Sequence, residues 1–174
     1  MDDRFSAIPW NTPALWREAN ASLDRCLRRN RHRLNEAFRL AEKLHRQLIS
    51  TFQRMDTLCR LTCFACEDSC CRRAWVWTDF RDLLFLHLAS VAPPDRQLLG
   101  RRGERCRYSG PDGCRLDRIQ RPFICTWYLC PAQIRALNRW PAQRERLKQR
   151  LQQIKRDRRE MEERFVEAVC RSRS

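Results

Sequence analysis

Residues 34–55 read LNEAFRLAEKLHRQLISTFQRM. Leu34, Phe38, Ala41, His45, Leu48, Phe52 and Met55 recur there at steps of three and four. Such spacing lines up side chains along one side of an α-helix. Neither Pro nor Gly occurs between Ala14 and Arg60, so the helical reading extends outward, with a break expected near Asn30. Upstream, Thr12 has the chemistry of an N-cap and Pro13 suits the first helical position. Residues 1–12 read as a short irregular arm, with Trp10 available to pack.

The far end of the chain mirrors this pattern. Residues 147–169 read LKQRLQQIKRDRREMEERFVEAV, with Leu147, Leu151, Ile154, Met161, Phe165 and Val169 in heptad-like spacing and one charged interruption at Arg158. Pro141 opens this helix. An amphipathic helix draws most of its stability from packing its apolar face, and the simplest arrangement sets the two helices against each other. The expected fold is therefore mainly α. It is a long antiparallel hairpin of N- and C-terminal helices carrying a cysteine-rich, loop-rich, metal-binding head. The expected divisions are an arm and long helix over 1–58, the head over 59–131, and the returning helix over 132–174.

Composition agrees with that class. The 174 residues include only 4 Gly, none before Gly100, which argues against a turn-rich β fold and against a glycine-rich phosphate loop in the first half. Within the head, Thr78-Asp79 reads as a helix start capped by Thr78, with the body over Phe80 to Leu88 and an end before Pro93-Pro94. Residues 109–113, SGPDG, carry turn chemistry. Pro131 opens a short helix reaching Trp140. The most apolar stretch, Leu83 to Ala92, is too short to span a bilayer, and no secretory leader is visible. A cytoplasmic location is expected.

Eight of the 11 cysteines fall in two groups. The first is Cys63, Cys66, Cys70 and Cys71. The second is Cys106, Cys114, Cys125 and Cys130. If residues 63–70 are helical, Cys63, Cys66 and Cys70 share one face, while Cys71 is rotated about 100° from Cys70. Adjacent thiols that diverge favour a polynuclear cluster or two sites. Thiolates suit zinc, copper(I) and iron–sulfur clusters rather than magnesium or calcium. No histidine lies near the cysteines, which favours an iron–sulfur cluster, with zinc as the alternative. Trp75, Trp77, Trp127 and Tyr128 are placed to shield such a cluster. Cys59, one turn before Cys63, reads as a buried hydrophobe. Cys26 and Cys170 read as unpaired thiols.

The run Cys63-Phe-Ala-Cys66-Glu-Asp-Ser-Cys70-Cys71 resembles the CxxCxxxCC signature of the YkgJ-type cysteine-cluster family, described as zinc- or iron-chelating domains. Trp77-Thr78-Asp79 and the later Cys106, Cys114, Arg121-Pro122-Phe123-Ile124-Cys125 and Cys130 resemble that family's second half. The resemblance spans about residues 63–130 and departs from the pattern at Leu116 and Thr126. It implies a ligand set rather than a reaction. With that match, Arg121 is expected to donate hydrogen bonds toward cluster sulfur. Asp79 is read as stabilising a helix start.

The chain carries 36 Lys+Arg against 21 Asp+Glu. Basic clusters at Arg25, Arg28, Arg29, Arg31 and Arg33, and at Arg144, Arg146, Arg150, Arg156, Arg158 and Arg159, have the chemistry to bind phosphates. A solvated helix face is favoured over nucleic acid, and a protein partner is expected. The leading function is a metal-binding protein holding an iron–sulfur cluster for redox or electron-transfer work, or as the partner of an enzyme. One alternative is a zinc-stabilised module binding an acidic partner or nucleic acid. Another is a cluster-dependent modifying or transferase enzyme. No Ser-His-Asp set or nucleotide loop is present to assign catalytic residues.

Overall fold

Thr12 and Pro13 start the first helix as their chemistry dictates. The Thr12 hydroxyl accepts from Leu15 N at 3.3 Å, and Pro13 occupies the first turn of α1, Pro13–Arg29. The computed structural model describes residues 8–63, 76–110 and 113–170. Within them the chain is mainly helical. α1 ends at Asn30, whose side-chain amide donates to Cys26 O at 2.9 Å. A 3-10 turn, Arg31–Arg33, leads into α2, Asn35–Thr62. The remaining helices are α3 (Phe80–Leu88), α4 (Ile124–Trp127), α5 (Pro131–Asn138) and α6 (Pro141–Cys170). A two-residue ladder pairs β1, Ser109–Gly110, antiparallel with β2, Gly113–Cys114. Gly113 has φ +115°, a conformation open to glycine and strained for other residues.

α2 and α6 make the most extensive helix contact in the fold. The contacts run in opposite senses along the two helices. Lys43 Nζ and Gln47 Nε2 reach Asp157 at 3.1 and 2.8 Å, whereas Met55 and Leu58, further along α2, pack with Leu147 and Leu151. The buried stripe of α2 is wider than the heptad reading and turned toward Ala37, Leu40 and Leu44. Phe38 and His45 lie at its half-buried edge. The width has a physical cause, since α3 packs on α2 as well as α6. Phe38 instead takes the Arg31 guanidinium over its ring, 3.7 Å from the centroid.

The main core draws on α1, α2, α3 and α6. Trp16 ties α1 to the segment after α3, donating from Nε1 to Pro94 O at 2.8 Å. α3 is capped by Asp79 and not by Thr78. Asp79 Oδ1 accepts from Asp82 N at 2.7 Å, and Asp79 N donates to Asp82 Oδ2 at 3.3 Å. Thr78 is fully buried because Gln97 bridges its backbone, with Oε1 accepting from Thr78 N and Nε2 donating to Thr78 O. Asp79 itself is extended, with φ −87° and ψ 178°, so the cap falls one residue later.

Arg158 breaks the apolar pattern of α6 because a carboxylate awaits it. Its Nη2 donates to Asp82 Oδ1 at 2.5 Å, and its guanidinium lies 4.8 Å from the Phe123 ring centroid. The neighbouring Asp157, equally buried, turns the other way and accepts from Lys43, Gln47 and Gln153. A charge on a core face is tolerated only when paired and hydrogen-bonded. Two adjacent charges, each answered by a different helix, also fix the rotation of α6. Among the described residues, no helix is long and apolar enough to cross a membrane.

Candidate metal centre

A second, smaller core holds three thiols of the later cysteine group, Cys106, Cys114 and Cys125. Val76, Leu98, Leu99, Cys106 and Leu116 are buried there, with Cys114, Ile124 and Cys125 packed against them. Local hydrogen bonds build the platform. Arg107 N donates to Leu98 O at 3.0 Å, Ser109 N to Cys106 O at 3.0 Å, and Arg115 N to Tyr108 O at 2.8 Å. The β1–β2 ladder then sets Cys114 opposite Ser109. Cys125 arrives on α4, its N–H donating to Pro122 O at 2.9 Å.

The three thiols sense one another. Burial pushes Cys106 up, and the nearby Cys114 adds to the shift. Cys125 is pushed up to about 12, first by burial and then by Cys114, Cys106 and Asp82, with only the Arg121 charge opposing. In these apolar surroundings Cys106 and Cys125 keep their protons until a cation offsets the thiolate charge. The three thiols are neighbours without meeting at one point. Among the described residues, no three His, Cys, Asp or Glu side chains converge to hold a metal ion.

Cys66, Cys70, Cys71 and Trp75 lie outside the described residues. Cys63 is exposed at the C-cap of α2, its N–H donating to Cys59 O at 2.7 Å. Cys130 is the N-cap of α5. Its N–H donates to Gln133 Oε1 at 3.2 Å. Cys26, Cys59, Cys106, Cys114, Cys125, Cys130 and Cys170 form no disulfide.

Two expectations about the surroundings change. Arg121 donates to backbone carbonyls rather than to sulfur: Nε and Nη2 reach Leu116 O at 3.0 and 2.9 Å, and Nη2 reaches Cys114 O at 3.4 Å. It clamps the loop that carries Cys114 and acts on Cys125 through charge alone. A guanidinium in reach of unpaired carbonyls satisfies them first, since a neutral thiol is a weak acceptor. Trp127 and Tyr128 are each 49% exposed and do not cover the three thiols. Trp77 does pack against the small core.

Cys59 is the residue whose surroundings the sequence concealed. It is half-buried, and its sulfur accepts from Arg118 Nη2 and Gln133 Nε2, both at 3.6 Å. Arg118 in turn pairs with Asp56 at 2.5 Å. Burial works against the Arg118 charge, yet Cys59 and Asp56 outweigh it and raise its pKa. Through Gln133, the last turn of α2 is tied to the N-cap Cys130. Spacing alone shows Cys59 one turn from Cys63, but the donors lie 59 and 74 residues away in sequence.

Asp82 is the other concealed residue. Its Oδ1 accepts from Phe123 N at 2.9 Å as well as from Arg158. The Arg158–Asp82 pair thereby pins the Arg121–Cys125 segment by backbone and by ring. It borders a cavity of about 10 Å³, room for a single water. Comparison of the chain with models of protein families, with curated proteins and with solved structures found no match.

Proposed function

We propose that this is a metal-binding cysteine-cluster protein whose thiols hold an iron–sulfur cluster, serving redox or electron-transfer work or a partner enzyme. In this reading residues 59–131 form the metal-binding head, and α2 and α6 form the helical hairpin that carries it and presents it to a protein partner. The observation that carries the reading is the gathering of Cys106, Cys114 and Cys125 in one small apolar core. Burial first, and then the neighbouring thiols, push Cys106 and Cys125 up, a penalty on their thiolate forms that a bound cation relieves. The donor chemistry fits, because an all-thiol set is soft and suits iron–sulfur clusters. Cys63, at the end of α2, begins the second contributing group, and the likeness of 63–130 to the YkgJ-type pattern supplies Cys66, Cys70, Cys71 and Cys130. When bound, the cluster supplies one-electron chemistry. The chain's own residues hold the thiols in place: Arg121 by fixing the Cys114 loop, and Asp82 with Arg158 by fixing the Cys125 turn.

The test is separate substitution of each of the eight thiols by Ser, with bound metal measured per chain. Loss of metal from Cys106→Ser, Cys114→Ser and Cys125→Ser, and retention in Cys26→Ser and Cys170→Ser, is the expected pattern. Unchanged metal in all eight variants would refute the assignment.

A further inference from the structure

Charge is distributed unevenly over this chain. Residues 131–159 hold ten Lys and Arg against two Asp and Glu, so a sixth of the chain carries more than half of its +15. The structure sorts these groups. Arg158 and Asp157 are buried and paired with other elements. The other nine cations are exposed. Among the described residues, only Lys148 and Arg159 of those nine lie within 4 Å of a carboxylate.

Helix geometry aligns them. Arg144, Lys148, Lys155 and Arg159 recur at steps of four, seven and four, one flank of α6 beside its buried Leu147–Leu151–Ile154 stripe. The row spans about 22 Å at 1.5 Å per residue. At the N-terminal end of α6 stands Trp140, 45% exposed, with Arg139 and Arg135 exposed before it. We infer that this face of α5 and α6 binds single-stranded nucleic acid. The cationic row follows the phosphate backbone, and Trp140 offers a ring on which an unpaired base stacks.

Surface chemistry decides among polyanions. An anionic membrane is held by a helix that inserts an apolar face, and here that face is buried against α2. A protein interface needs an apolar or aromatic centre depleted of charge. Ile134 and Trp140 are the exposed large hydrophobics of this stretch, and both precede α6; from Pro141 to Arg156 the exposed residues are Pro141, Ala142 and otherwise charged or amide side chains. Phosphate contacts need only exposed Arg and Lys. The inference stands independently of any bound metal.

The experiment is fluorescence anisotropy of a labelled 20-nucleotide oligo-dT with the full chain, across a salt series. The patch variant is Arg144→Gln/Lys148→Gln/Lys155→Gln. The control is Arg17→Gln/Arg25→Gln/Arg29→Gln, which removes the same charge from exposed positions of α1. The patch variant is expected to lose at least about tenfold in affinity, and its log–log salt slope to flatten by about 2, near 0.7 per lost contact. The control is expected to stay within about threefold of wild type, because it touches no phosphate contact. Trp140→Ala is expected to weaken binding at least about fivefold, the low end of base–ring stacking, with the far-ultraviolet spectrum unchanged. Three results would overturn the inference: equal losses in patch variant and control, displacement of oligo-dT by poly-glutamate at equal charge, or binding to phosphatidylserine vesicles without binding to oligo-dT.

Discussion

Substituting Arg158→Met removes the cation from a pair sealed between α3, α6 and the Phe123 turn. The Arg158 side chain is 5% exposed and that of Asp82 is 9% exposed, so bulk water cannot replace the guanidinium. Deleting one partner of a buried pair costs about 3–5 kcal/mol. Methionine refills most of the volume and keeps contact with Phe123, so the loss is chiefly electrostatic. The cost therefore depends on pH. Burial, opposed by Arg158, pushes Asp82 up to about 6 from an ordinary 3.8. An acid raised in this way favours the fold when protonated. Its contribution is full below about pH 4 and is lost as pH rises through about 6. Without Arg158 the carboxyl rises further, and once protonated it no longer needs a cation. The penalty is expected to be about 1 kcal/mol or less near pH 5, growing by up to about 1.4 kcal/mol per pH unit. Near pH 8 it reaches about 3–5 kcal/mol. For a chain of this size that lowers Tm by about 10 °C. Urea unfolding followed by far-ultraviolet circular dichroism at the two pH values reads the difference. A penalty that is independent of pH, or below about 1 kcal/mol near pH 8, would refute this view of the pair.

Asp157→Leu orphans the Gln47 and Gln153 amides at the α2–α6 contact and is expected to cost about 1–3 kcal/mol in the same assay, whereas Glu163→Gln, on the surface, is expected to change stability by under about 0.5 kcal/mol. Arg121→Met frees the carbonyls of Leu116 and Cys114. Cys114 is then expected to alkylate with iodoacetamide several-fold faster in metal-free protein, read by mass spectrometry, while Cys26 is unchanged; equal rates at Cys114 would contradict the clamp. Because Cys125 rises from 9.0 to about 12 on folding, its neutral form favours the fold. Its share of the stability of metal-free protein is full below about pH 9 and is lost as pH rises toward 12. Cys125→Ala is expected to remove that alkaline decline in a pH series of thermal melts.

The helical class was legible because period is a local property. The stripes at 34–55 and 147–169, the Thr12-Pro13 start and the Pro131 and Pro141 starts each need only a few neighbouring residues to be recognised. Side-chain partners were not local. Arg158 reads in sequence only as a charged interruption of the stripe, and spacing could not choose Asp82 among 21 carboxylates as its partner. Cys59 looked like a core thiol until folding brought Arg118 and Gln133 to its sulfur. Arg121 is expected at sulfur only through the family resemblance, whereas in the fold its donors reach the carbonyls of Leu116 and Cys114. Trp127 and Tyr128 are amphipathic rings that serve inside or outside equally well, and sequence position gave no way to decide. Among the thiols, grouping in sequence anticipated the neighbourhood of Cys106, Cys114 and Cys125, while Cys66, Cys70 and Cys71 lie outside the described residues.

The central claim is that the thiols hold an iron–sulfur cluster. Its most direct test is anaerobic purification of the untagged chain, followed by an absorption spectrum and analysis of iron, zinc, copper and acid-labile sulfide. Iron with sulfide and a broad visible band is the expected result. Colourless protein carrying zinc alone, or protein carrying no metal, would contradict the claim.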